Sequence, residues 1–89
     1  MSALTQYLDR KNSFAKIFGG KELSLQVAAD RQRIADSIDA DLSPENLTCD
    51  GELPVREINA RYKYLTAAAA DLRKLDPSVK FWEYSDEAY

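Results

Sequence analysis

The chain has no histidine and a single cysteine, Cys49, in 89 residues. Without histidine it lacks the commonest metal ligand and the side chain that titrates near neutrality, which excludes the usual catalytic triads and zinc-hydrolase motifs. One cysteine admits neither an internal disulfide nor a cysteine-built zinc site. Cys49 also has no histidine to act as its base, so it does not read as an activated nucleophile. No apolar run approaches the ~18 residues of a membrane span, and the N-terminus lacks the long apolar centre of a signal peptide. The sequence therefore reads as cytoplasmic, with no membrane contact. In that setting the glycosylation-like tripeptide Asn46-Leu47-Thr48 carries no meaning.

Positive charge is missing from a long stretch. No Lys or Arg stands between Ile34 and Val55, while Asp36, Asp39, Asp41, Glu45, Asp50 and Glu52 all do. The nearest calcium-loop template would use Asp39, Asp41 and Ser43, but Pro44 occupies the place of the glycine that makes the sharp turn. A solvated acidic helix end is the plainer reading, and no metal ligand set is expected. Gly19-Gly20-Lys21 lacks the preceding strand and the spacing of a phosphate-binding loop, so the pair reads as a helix stop. No cofactor, no catalytic residue and no enclosed cleft for paired carboxylates is expected, which makes the chain a non-enzyme on this reading.

What is present is helical pattern. Hydrophobic residues make up 45% and charged residues 30%, a globular rather than a disordered balance, and the length allows one small domain. From Pro54 to Leu75 apolar side chains recur at Val55, Ile58, Tyr62, Leu65, Ala69 and Leu72, the three-four spacing of one helical stripe. Pro54 suits the first helical position and Asp76-Pro77 a stop. The alanines Ala67 to Ala70 read simply as good helix formers. Ser2 caps a first helix that runs to Phe18, with Leu4, Tyr7, Leu8, Phe14, Ala15 and Phe18 on one face. A second helix starts between Lys21 and Ser24 and runs to Ala40, with Leu23, Val27, Ile34, Ala35, Ile38 and Leu42 inward. Arg31 falls within that apolar face. Either its stem packs and its head reaches solvent, or it makes a partly buried ion pair or meets a partner.

The expected fold class is all-α: a small three-helix bundle over about 2–18, 22–40 and 54–75, with a short extra helical turn near 44–47. Residues 1–77 form the helical domain and 78–89 an aromatic and acidic C-terminal tail. The expected core is Leu4, Leu8, Phe14, Phe18, Val27, Ile34, Ile38, Leu42, Ile58, Tyr62, Leu65, Ala69 and Leu72.

No motif names a reaction, and recognition of another protein is what the residues suggest. On the long helix Arg56, Lys63, Ala67, Ala70 and Lys74 form an outward stripe on which small alanines would admit a second helix. The plain alternative is a solvated face. In the tail Phe81, Trp82 and Tyr84 are large aromatics of the kind that dominate binding energy, with Glu83, Asp86 and Glu87 to steer them to a basic surface. Packing of these aromatics back onto the helices is the competing explanation. A small, acidic protein of this kind suits an accessory or inhibitor of the phage or plasmid type, acting on a host protein. A self-assembling homo-oligomer is the second reading. Nucleic-acid binding and acidic mimicry of DNA come third: the net charge of −3 and pI of about 4.8 argue against a coherent basic surface, and the six carboxylates from Asp36 to Glu52 are too few to imitate a long duplex but enough for one basic groove.

Overall fold

The computed structural model describes residues 2–82 and Tyr84. Four helices form among them: α1 (Ala3–Phe18), α2 (Ala28–Asp41), α3 (Pro44–Thr48) and α4 (Val55–Leu75). No strand forms among the described residues, so the chain is an all-α bundle of four helices.

Local chemistry sets most helix ends. Ser2 is extended and its Oγ accepts the Thr5 N–H at 3.1 Å, satisfying one of the free donors at the start of α1. Asp71 of α4 satisfies another, accepting the Leu4 N–H at 3.3 Å. Gly19 closes α1 in the left-handed region at φ 73°, where a side chain would be strained. Pro54 is the residue before α4 rather than its first, and α4 ends at Leu75. Asp76 then turns the chain, its Oδ1 accepting from the Ser78 N–H and hydroxyl. Between α3 and α4 three successive residues, Cys49, Asp50 and Gly51, all have positive φ, which reverses the chain in a short space.

The long helix is the common partner of the other three. α1 runs antiparallel to α4, since Leu4 meets Asp71 and Tyr7 faces Tyr64. α2 is antiparallel to α4 as well, starting beside Asp76 and ending beside Tyr64 and Leu65. The link from α1 to α2 must therefore travel back along α1, whose 16 residues span about 24 Å. At full stretch residues 19–27 could reach about 30 Å, whereas residues 22–27 as helix would advance only about 9 Å. This corrects the expected helix start near residue 22: topology requires a non-helical crossover there, residues 20–24 run without helix into a turn closed by the Val27 N–H on the Ser24 C=O at 3.3 Å, and α2 begins at Ala28.

That crossover is held by side chains. The Asn12 amide donates to the Leu23 C=O at 2.9 Å and accepts the Leu23 N–H at 2.8 Å. Buried Asp30 accepts the Ser24 N–H at 3.0 Å, with Lys21 and Arg33 each 4.0 Å from its other oxygen. Arg31 donates to the Leu25 C=O at 2.9 Å and, through Nε, to Asp76 Oδ2 at 2.6 Å. Of the two readings of Arg31, the half-buried ion pair is the one found. A matching clamp holds the segment after α4, where the Gln32 amide donates to the Lys80 C=O at 2.8 Å and accepts the Lys80 N–H at 3.0 Å. Val79 and Phe81 thereby enter the core, and Leu23 and Leu25 pack against it.

The core differs from the expected one at its ends. Leu4, Leu8, Ile34, Ile38, Leu42, Leu65, Ala69 and Leu72 are buried as expected, joined by Tyr7, Ala35, Ala68, Val79 and Phe81. Phe14, Phe18, Val27 and Tyr62 are exposed and Ile58 is half-buried. The last turns of α1 and the first turns of α4 lie at the end of the bundle away from the start of α2, so the stripe continues with little to cover it. Val27 precedes α2 in the crossover and points outward for that reason. Ala68 and Ala69 are fully buried together with Ala35, so these alanines serve close helix packing and not only helix propensity.

Candidate functional site

The helices leave a concavity between α1 and α4, at the C-terminal end of α2. It has a volume of about 250 Å³ and is lined by Tyr7, Arg10, Lys11, Phe14, Asp41, Arg61, Tyr64 and Leu65. Residues 7, 10, 11 and 14 stand one turn apart on α1, and 61, 64 and 65 do so on α4, so two antiparallel helices present two facing rows. The Tyr7 and Tyr64 rings meet at 6.4 Å between centroids with a tilt of 52°.

One side of the cleft is internally satisfied. Tyr7 Oη donates to Asp41 Oδ2 at 2.7 Å. Its single proton is then used, so the Ser37 hydroxyl at 2.7 Å is the donor in their contact. Lys11 Nζ lies 3.2 Å from Asp41 Oδ2 and 5.4 Å from the Tyr7 ring centroid. Burial pushes the Tyr7 phenol well above its ordinary value; the hydrogen bond from Ser37 opposes the rise and the nearby Asp41 adds to it.

The other side is not. Arg61 gives one guanidinium nitrogen to the Asn46 C=O at 3.3 Å, while its Nε is buried without a partner. The Tyr64 hydroxyl is likewise buried and unpartnered. Burial raises the Tyr64 pKa, and the Arg10 guanidinium beside the hydroxyl opposes the rise. Each such orphan donor costs roughly 1–3 kcal/mol relative to a paired one.

Beside the cleft, the end of α1 exposes large apolar surface. Phe14 is 57% exposed, Ile17 74% and Phe18 79%, and the two phenyl rings stack within 6° of parallel at 6.4 Å.

The surfaces expected from sequence lie elsewhere. Arg56, Lys63, Ala67 and Lys74 of the α4 stripe are exposed and Ala70 is half-buried. The tail aromatics separate. Phe81 is buried at 2% exposure under the Arg73 guanidinium, which lies 4.7 Å from its ring centroid. Trp82 is 69% exposed with Lys80 Nζ 5.9 Å from its ring, and Tyr84 is half-buried, its N–H donated to Asp39 Oδ1 at 2.9 Å. Glu83, Asp86 and Glu87 lie outside the described residues. The cleft itself escaped the sequence reading, although Tyr7, Arg10, Lys11 and Phe14 at helical spacing on α1 were a usable signal.

Asp36, Asp39 and Asp41 bond respectively to Gln32, Tyr84 and Tyr7, each a different partner. Among the described residues no three histidine, cysteine, aspartate or glutamate side chains come together as a metal site. No helix among them is long and apolar enough to cross a membrane. Comparison with protein-family models, curated proteins and solved structures gives no match for this chain.

Proposed function

We propose that this chain is a non-enzymatic, cytoplasmic protein-binding module of the accessory or inhibitor type, and that it docks through the C-terminal turns of α1. The observation that supports this is the exposed apolar group Phe14, Ile17 and Phe18. A small domain needs its large apolar side chains in the core, and a contiguous apolar patch rimmed by charge is the usual mark of an interaction surface. The adjoining cleft supplies the rim, with Arg10, Lys11 and Arg61 beside Phe14. Aromatic and arginine side chains in one small area are the composition of binding hot spots. The α4 stripe of Arg56, Lys63, Ala67, Ala70 and Lys74, and exposed Trp82, are secondary surfaces of the same module.

Crosslinking tests this directly. A photo-reactive residue is placed at Ile17 and, as a control, at exposed Arg33 on α2, and the chain is irradiated in cells of its source. The expected result is one heterologous protein joined at position 17, absent at position 33, and lost when Phe18→Asp is added to a chain that still melts normally. The same apolar face also fits a second copy of this chain. Products containing only this chain would establish self-assembly in place of the proposed role.

A further inference from the structure

The cleft concentrates positive charge in a chain whose formal net charge is −3: Arg10, Lys11 and Arg61 face a single carboxylate, Asp41. Lys11 is paired with that carboxylate. Arg10 and Arg61 have no carboxylate within ion-pair distance among the described residues. Of the cleft's lining groups, the two buried without partners, Arg61 Nε–H and the Tyr64 hydroxyl, can both donate. The raised pKa of Tyr64 keeps its proton in place for donation. What the cleft lacks is an acceptor, and Arg10 and Arg61, neither of them paired with a carboxylate, make that acceptor an anion.

We infer that the cleft between α1 and α4 receives the carboxylate of an acidic side chain from a partner protein, with an apolar residue next to it in the partner seated on the Phe14–Phe18 stack. This rests on the protein-binding reading above and gives it a partner chemistry. Size favours a side chain, because about 250 Å³ is below the roughly 300–1,000 Å³ of sites for whole small ligands. Charge favours a carboxylate over phosphate, because Asp41 sits in the wall and opposes a second negative charge. The aromatic walls and the exposed phenyl pair favour a polypeptide over a nucleic-acid backbone, which needs a continuous basic track. Entry of the carboxylate requires rotation of Arg10 and Arg61 about their side-chain torsions, at the expense of the 3.3 Å Arg61 bond to the Asn46 C=O, and it pairs the two orphan donors.

The test is an NMR titration of the full chain, reading backbone amides and arginine Nε–Hε signals, with three probes. These are the capped tripeptide Phe-Asp-Leu, its neutral counterpart Phe-Asn-Leu, and inorganic phosphate. The expected result is saturable shifts at Arg10 and Arg61 with Phe-Asp-Leu, at a Kd on the order of 1 mM, and binding at least about tenfold weaker with Phe-Asn-Leu. Arg61→Gln should abolish the difference between the two peptides. Exposed Arg10→Gln should reduce it and serves if Arg61→Gln does not fold. Equal binding of both peptides, with shifts confined to Phe14 and Phe18, overturns the carboxylate site and leaves the apolar docking face. Phosphate binding tighter than Phe-Asp-Leu overturns it in favour of a phosphate site. Absence of any shift overturns it too, and if a protein still crosslinks at Ile17 the protein-binding reading stands alone. Conversely, peptide binding at the arginines with no crosslinked protein removes the protein-binding reading and the partner assigned here.

Discussion

Phe81 and Trp82 are neighbours in sequence and should behave in opposite ways when truncated. Phe81 is 2% exposed, packed among core residues and under Arg73, while Trp82 is 69% exposed with Lys80 over its ring. Removing a buried phenyl ring costs about 3–5 kcal/mol through lost transfer energy and the cavity left behind. An 89-residue domain has a total stability of roughly 4–13 kcal/mol, so Phe81→Ala removes a large share of it. At about 4–8 °C per kcal/mol for a domain of this size, the expected fall in Tm is at least about 12 °C. Trp82→Ala exchanges exposed surface and should stay within about 0.5 kcal/mol, or about 4 °C. Deleting residues 78–89 removes Val79 together with Phe81 and should match or exceed the Phe81→Ala loss. Thermal unfolding followed by far-UV circular dichroism reads all three. A Phe81→Ala protein that melts within about 4 °C of the parent, or a Trp82→Ala protein that falls as far as Phe81→Ala, would refute the placement of this segment.

Asp76 has its carboxyl lowered to about 2 by its hydrogen bonds from Ser78 and Arg31, so its contribution to stability is complete above its unfolded pKa near 4 and is lost as pH falls toward 2. The Tm advantage of the parent over Asp76→Asn should accordingly be flat above about pH 5 and shrink between about pH 4 and 2. Tyr7 is shifted upward by burial, so its contribution is complete below its unfolded pKa and declines as pH rises above about 10. Alkaline melts should show that decline in the parent and not in Tyr7→Phe. Cys49 ends α3 with φ 49° on an exposed turn, so Cys49→Gly should raise stability by up to about 1 kcal/mol in urea unfolding, and a loss would mean that the side chain has a packing role. Phe18→Ser should cost no more than about 1.5 kcal/mol, mostly the ring stacking with Phe14, and a cost near that of a buried phenylalanine would show that the end of α1 is covered in solution.

The helices were legible wherever one local signal sufficed. Ser2, Gly19, Pro54 and Asp76-Pro77 punctuate the chain through their own stereochemistry, and α1 and α4 end within a residue of where those signals put them. The start of α2 is not legible, because residues 22–27 carry a helical pattern while the direction of α2 relative to α1 demands a non-helical crossover. Periodicity also identified the apolar stripe of α4 without showing where its cover stops, and so Tyr62 was assigned to the core and Ala68 was not. Arg31 was visible as an anomaly from its position in the apolar face, but its partner Asp76 is remote in sequence and becomes adjacent only in the fold. The cleft is of the same kind: each row follows from helical spacing, and their confrontation follows from the antiparallel packing of α1 on α4.

The two amide clamps bear on how this chain ages. Asn12 and Gln32 each offer one donor and one acceptor in a plane, as a peptide group does, and each engages both backbone groups of one residue. Hydrolysis of the side-chain amide to a carboxylate leaves the acceptor and replaces the donor nitrogen with an oxygen. That oxygen would face the Leu23 carbonyl at Asn12, or the Lys80 carbonyl at Gln32, where the nitrogens now sit at 2.9 and 2.8 Å. Two acceptors at that separation repel, so deamidation would turn a clamp into a wedge beneath a segment that has no helix of its own. Leu23 and Leu25 lie on one such segment, Val79 and Phe81 on the other, and both close the core. Chemical damage at two partly covered polar atoms would thus be felt as loss of hydrophobic packing.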